Sequence, residues 1–116
     1  MTATWIDRGL SVLLILGGIG HTFGVIGFYH DPITLFWALS ASVLIFLLGA
    51  INLLRTWRPG DRALAIVTSC GSFAYLVVTI GFGRVIGSLI DPRVILFCAL
   101  SIGLMAFGLR DAMRPH

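Results

Sequence analysis

His21 stands in a glycine-rich apolar stretch, Gly17-Gly18-Ile19-Gly20-His21-Thr22-Phe23-Gly24. An imidazole titrates near neutrality and can donate, accept or ligate. Inside a membrane it is costly unless paired, and it marks a candidate functional site by default. His21 lies 13 residues after Arg8, and Tyr75 lies 13 residues after Arg62. At 1.5 Å per residue each sits roughly 20 Å along its helix from that arginine. The spacing predicts that His21 and Tyr75 flank one axis at one depth, with Ser40, Ser101 and Thr79 as the hydroxyls of the same ligand or proton site. Proton relay, ligand contact and haem ligation are the chemistries open to such a group. The plain alternative is a neutral histidine bonded to a neighbouring helix, with no turnover.

Little else in the chain resembles a reaction centre. His30 lies at the membrane surface and His116 is terminal, so a second axial haem ligand would have to come from another subunit. Cys70 and Cys98 belong to no Cys-x-x-Cys pair, and their depths predict inert buried thiols. Every aspartate falls at the end of an apolar run. No catalytic residue, metal site or resident cofactor is assigned; haem or quinone would enter only with a redox role.

A second pattern concerns packing. Gly17, Gly20, Gly24 and Gly27 share one helical face, and Gly20–Gly24 is a GxxxG pair. Thr68, Gly71, Ser72, Tyr75 and Thr79 form a small and polar stripe in the third apolar run. Small residues let helix backbones approach closely in lipid. The expectation is tight packing of helices one and three, through Gly17, Gly20, Gly24, Gly27, Gly71 and Ser72. A narrow cavity between them is the alternative.

These residues are carried on a chain that repeats itself. Asp7-Arg8 opens a run reaching Ile26-Gly27-Phe28, and Asp61-Arg62 opens one reaching Ile80-Gly81-Phe82, 54 positions on. Asp31-Pro32 then leads to Leu35-Phe36-Trp37-Ala38-Leu39-Ser40, as Asp91-Pro92 leads to Leu96-Phe97-Cys98-Ala99-Leu100-Ser101. The predicted architecture is a single all-α membrane domain, residues 1–116, with four transmembrane helices in two tandem parallel αα-hairpin repeats, 7–55 and 61–111. The helices are expected at about 8–28, 33–54, 63 to between 82 and 89, and 93–109. The second half holds about six extra residues, 83–88, that would lengthen helix three or form a short lip.

Composition agrees. The chain has 116 residues, 58% hydrophobic and 11% charged, with mean hydropathy +1.01. Such a surface needs the lipid bilayer as its partner. The net charge of +3 comes from scattered arginines, which excludes a nucleic-acid stripe. Arg8, Arg55, Arg58, Arg62, Arg110 and Arg114 fall on one side, Arg93 and Arg84 on the other. That bias predicts cytoplasmic N and C termini in a bacterial inner membrane. Trp5, Trp37 and Trp57 fall near the expected interfaces. Asp31 and Asp91 suit N-caps before Pro32 and Pro92.

The opening of helix one, Arg8 followed by Gly18-Ile19-Gly20-His21-Thr22-Phe23-Gly24, resembles the start of DoxX-like small membrane proteins. The likeness covers about 20 residues. It implies a four-helix inner-membrane fold and a link to redox or quinone enzymes, and it assigns no catalytic residue. Small multidrug transporters differ in needing a Glu in their first helix, since this chain has none. Fluoride channels share the Gly-Gly opening but differ in their third-helix phenylalanine-and-threonine motif.

Three functions follow from these features. The first is a non-enzymatic accessory or assembly module, packing through glycine faces as a homo-oligomer or as a subunit of a larger membrane complex. The second is a small transporter or ligand-binding protein with its site around His21 and Tyr75. The third is a quinone- or haem-linked redox subunit.

Overall fold

The computed structural model describes residues 2–114, so His116 lies outside the described residues. Four helices follow in order: α1 Thr2–Phe28, α2 Pro32–Trp57, α3 Arg62–Val85 and α4 Pro92–Met113. All four are long and apolar enough to cross a membrane. The bundle measures 50 × 23 × 22 Å, its long axis matching a lipid bilayer with its headgroups.

Local chemistry sets the ends. Asp31 Oδ2 accepts from the backbone N–H and the hydroxyl of Thr34, both at 2.9 Å, and Pro32 follows in the first turn. Asp91 caps α4 before Pro92 by accepting from Arg93 N–H at 2.9 Å, and Asp61 caps α3 through Leu64 N–H at 3.0 Å. Pro59 and Gly60 form the centre of a turn closed by Asp61 N–H on Arg58 O, with Gly60 at φ +89°, as a type II turn requires. The extra residues of the second half form the end of α3 and a short turn. Gly87 at φ +77° lets Ser88 N–H reach Gly83 O and Gly87 N–H reach Arg84 O, a Schellman ending.

The buried positions recur every three or four residues. Helix α1 buries Asp7, Ser11, Leu14, Gly18 and Val25; α2 buries Ser42, Ile45, Leu48, Gly49, Asn52 and Arg55. That seam faces the bundle axis, while Leu13, Phe23, Leu47, Val78 and Ile102 face outward. Leu14, Ile45, Leu48, Tyr75, Leu100 and Leu104 fill the centre. Around the bundle, α1 touches α2 and α4, and α3 touches α4 and α2. Across it α2 meets α4, whereas α1 and α3 make no contact among the described residues.

Two expectations change here. Helix α1 begins at Thr2 rather than near residue 8, and α2 continues to Trp57. Asp7 and Arg55 are therefore inside helices, not before or after them. The expected packing of helices one and three is also absent within the chain. The seam through Asp7, Ser11, Leu14, Gly18 and Val25 and the face through Gly20, Gly24 and Gly27 lie roughly 140° apart at 100° per residue. Burying one turns the other outward.

Candidate functional site

The strongest chemical feature is a buried ion network at the end of the bundle where α1 begins and α4 ends. Arg55, at 1% exposure the largest fully buried side chain, reaches from α2 to three helices' polar groups. Its Nη1 donates to Asp7 Oδ2 at 2.8 Å and to Asp111 Oδ2 at 2.6 Å. Its Nη2 donates to Asp7 Oδ1 at 2.8 Å and to Asn52 Oδ1 at 3.1 Å. Asn52, fully buried, donates to Leu48 O at 2.9 Å and to Ser72 Oγ on α3 at 3.4 Å. All four helices are thus tied by one network. Arg110 and Arg114 lie 3.7 and 3.9 Å from Asp111 Oδ1, so the second carboxylate is also balanced. An unpaired charge here would be expensive, and the two-oxygen grip on Asp7 answers that cost with geometry. Arg55 Nε is the one donor of this guanidinium without a partner among the described residues.

The sequence analysis placed Arg55 only among the arginines of one side and did not single out Asn52. The signal available was spacing. Asp7, Ser11, Leu14 and Gly18 continue one seam, and Asn52 and Arg55 are one turn apart on the seam of α2. Two residues of the seam being charged, with opposite signs 48 positions apart, points to a pair.

His21 is half-buried, and its Nε2 lies 3.2 Å from the carbonyl of Ala38 on α2. A carbonyl only accepts, so this contact places the proton on Nε2. Several helical hydroxyls in this chain bond the carbonyl four residues back: Ser11 to Asp7, Thr22 to Gly18, Ser40 to Phe36, Thr79 to Tyr75 and Ser101 to Phe97. Ser42 would use Ala38 in that way, but its Oγ is buried and without a partner. His21 occupies the carbonyl that Ser42 would take.

Tyr75 is placed elsewhere. It is buried in the apolar centre, with its ring edge-on to Phe97 at 6.1 Å between centroids. His21 sits on α1 and Tyr75 on α3, and the two helices do not touch. Ser101 and Thr79 are buried and Ser40 is exposed, and each spends its hydroxyl proton on its own helix. Thr79 bonds the carbonyl of Tyr75, and no hydrogen bond among the described residues joins His21, Ser40 or Ser101 to that pair or to one another. Two shallow depressions mark the outer surface, one lined by Trp5, Arg8, Gly9, Val12 and Leu13, the other by Ser69, Cys70, Phe73, Met105 and Leu109. Neither includes His21 or Tyr75.

The glycines divide into two groups. A Cβ on Gly17 would meet Phe97 of α4 at 2.9 Å, and one on Gly18 would meet Ile45 of α2 at 2.8 Å. Gly71 faces Leu48 of α2 at 3.2 Å, and Ser72 lies in the ion network. Gly20, Gly24 and Gly27 face open space. Closer approaches come at glycines that the sequence analysis had not singled out: Gly49 against Ile15 at 2.6 Å, and Gly108 against Ser69.

Compared with protein-family models, with curated proteins and with solved structures, the chain finds no match in any of the three.

Proposed function

We propose that this protein is a non-enzymatic assembly module of the bacterial inner membrane, with both termini cytoplasmic, that associates with a second copy of itself through α1. The observation that carries this reading is the open face of Gly20, Gly24 and Gly27. These positions serve no contact in the chain, yet three glycines on one apolar helix weaken it unless a close neighbour compensates. A GxxxG face is self-complementary about a two-fold axis, so a second α1 fits it. The ion network supports the same reading, because it makes the four helices a rigid unit with which to dock. The first-helix likeness to DoxX-like proteins points to the same size and setting.

The two halves are proposed as parallel repeats about an axis along the bundle. The contact of α2 with α4 supports this, since those helices carry the matched Leu-Phe-x-Ala-Leu-Ser segments.

The test is cysteine cross-linking in native membranes, with Cys placed at Gly24 in a chain lacking Cys70 and Cys98. A dimer band from position 24, and none from position 78 on α3, supports the reading. Monomer at position 24 under conditions that cross-link a control dimer would reject it. Labelling of Arg58→Cys from the periplasmic side would reject the orientation.

A further inference from the structure

At the end of the bundle that holds the ion network, most of the charge is spoken for. Asp7 is gripped by Arg55, and Asp111 by Arg55 with Arg110 and Arg114 close by. Asp61 faces Arg58 at 3.4 Å. Among the described residues no carboxylate lies within ion-pair distance of Arg8. Its sequence neighbour Asp7 points the other way, into the bundle.

Arg8 is nonetheless held in place. Its Nε donates to Thr56 Oγ1 on α2 at 3.1 Å, and Thr56 in turn donates to Leu53 O at 2.7 Å. The guanidinium also lies 5.9 Å from the ring centre of Trp5. With Nε fixed on one side, the two terminal nitrogens form a fork directed away from that bond. Such a fork matches two oxygens of a phosphate.

The fork stands at the mouth of the furrow lined by Trp5, Gly9, Val12 and Leu13. Gly9 leaves the floor open, with nothing within 4 Å of where a Cβ would stand. Val12 and Leu13 are exposed, and they lie roughly 6–8 Å deeper along α1 than Arg8. The depression therefore has a cation and an aromatic ring at the interface and the apolar side chains of Val12 and Leu13 toward mid-bilayer. That polarity fits a molecule with an anionic head and a hydrocarbon tail, and does not fit a soluble anion.

We propose that Arg8, Trp5 and the furrow over Gly9 bind an anionic phospholipid, the phosphate on Arg8 and an acyl chain along Val12 and Leu13. Arg62, its counterpart in the second half, serves as the control cation.

Native mass spectrometry of the full chain in detergent tests this, using phosphatidylglycerol, phosphatidylcholine of the same acyl chains, and inorganic phosphate as separate probes. The wild type should retain phosphatidylglycerol over phosphatidylcholine. Arg8→Gln should cut phosphatidylglycerol retention about fivefold, the effect of one interfacial cation on an anionic lipid, with phosphatidylcholine unchanged. Arg8→Lys should keep part of it, since the charge remains and the fork is lost. Arg62→Gln should change it less than Arg8→Gln does, because the phosphate sits on Arg8. Gly9→Leu leaves the hydrogen bond of Arg8 intact and fills the furrow, so it should lower retention of both lipids and keeps the test decisive if Arg8→Gln misfolds. Equal retention of the two lipids by the wild type, an equal loss in Arg62→Gln, unchanged retention in Gly9→Leu, or displacement of phosphatidylglycerol by inorganic phosphate would each overturn the proposal.

Discussion

Arg55 holds both oxygens of Asp7, Nη1 on Oδ2 and Nη2 on Oδ1, each at 2.8 Å, across 48 residues of chain. The two side chains close the first hairpin where α1 begins and α2 ends. Asp111 then joins the last helix to the same guanidinium.

Breaking this pair from one side should be far worse than removing it whole. Arg55→Met leaves two carboxylates facing each other in a buried site, at an expected cost of about 3–5 kcal/mol. The triple change Arg55→Met, Asp7→Leu, Asp111→Leu should recover most of that loss, because no charge is left behind. Unfolding in mixed micelles measures both. A triple variant no more stable than Arg55→Met would show that the charges are not the reason.

Ser42 offers the opposite sign. Its buried hydroxyl has no partner, so Ser42→Ala should leave stability unchanged or raise it by about 1 kcal/mol. Ser11→Ala and Ser101→Ala remove hydroxyls that have partners and should not stabilise. A clear loss of stability in Ser42→Ala alone would mean that an ordered water or His21 satisfies the hydroxyl.

The two groups of glycines should separate in a melting experiment. Gly49→Leu drives a side chain into Ile15 and the backbone of Ser11, and should unfold the α1–α2 hairpin or cost more than about 3 kcal/mol. Gly24→Leu meets nothing within the chain, so monomer stability should hold while the dimer is lost. Equal damage from both would place Gly24 in the interior.

The caps of α2 and α4 carry a pH dependence. The Thr34 N–H and hydroxyl hold the Asp31 carboxyl below its ordinary value of 3.8, and the Arg93 guanidinium and N–H do the same for Asp91. A depressed folded value means that each cap contributes fully above pH 3.8 and is lost as pH falls through the lower, folded value. Amide exchange at Thr34 and Arg93, corrected for intrinsic rate, should therefore be flat from pH 7 to about 5 and accelerate below about 4. Acceleration already between pH 5 and 7 would reject this assignment.

The four spans were legible because their length and hydropathy repeat. Asp31 and Asp91 were legible as caps because a proline follows each. The ion network was not, because a helix start placed near residue 8 left Asp7 outside any helix. With α1 extended to Thr2, Asp7 falls on the seam of Ser11, Leu14 and Gly18. The pairing of His21 with Tyr75 came from matching positions after Arg8 and Arg62. That match gives depth but not direction. Tyr75 turns to Phe97 within its own hairpin and His21 to Ala38 within the other.

The placement of Asp7 and Arg55 has a consequence for how the chain enters the membrane. Synthesis delivers Asp7 first and Arg55 before α3 begins, so the first two spans leave the translocon with their one internal anion already matched to a cation. The hairpin is electrically complete as an insertion unit, with no need to wait for the second half. Asp111 arrives last, when both terminal nitrogens of Arg55 are already on Asp7, and it joins the fourth span to the same guanidinium. A nascent chain stalled just after the first hairpin should thus resist extraction, and the same chain with Arg55→Met should slip out.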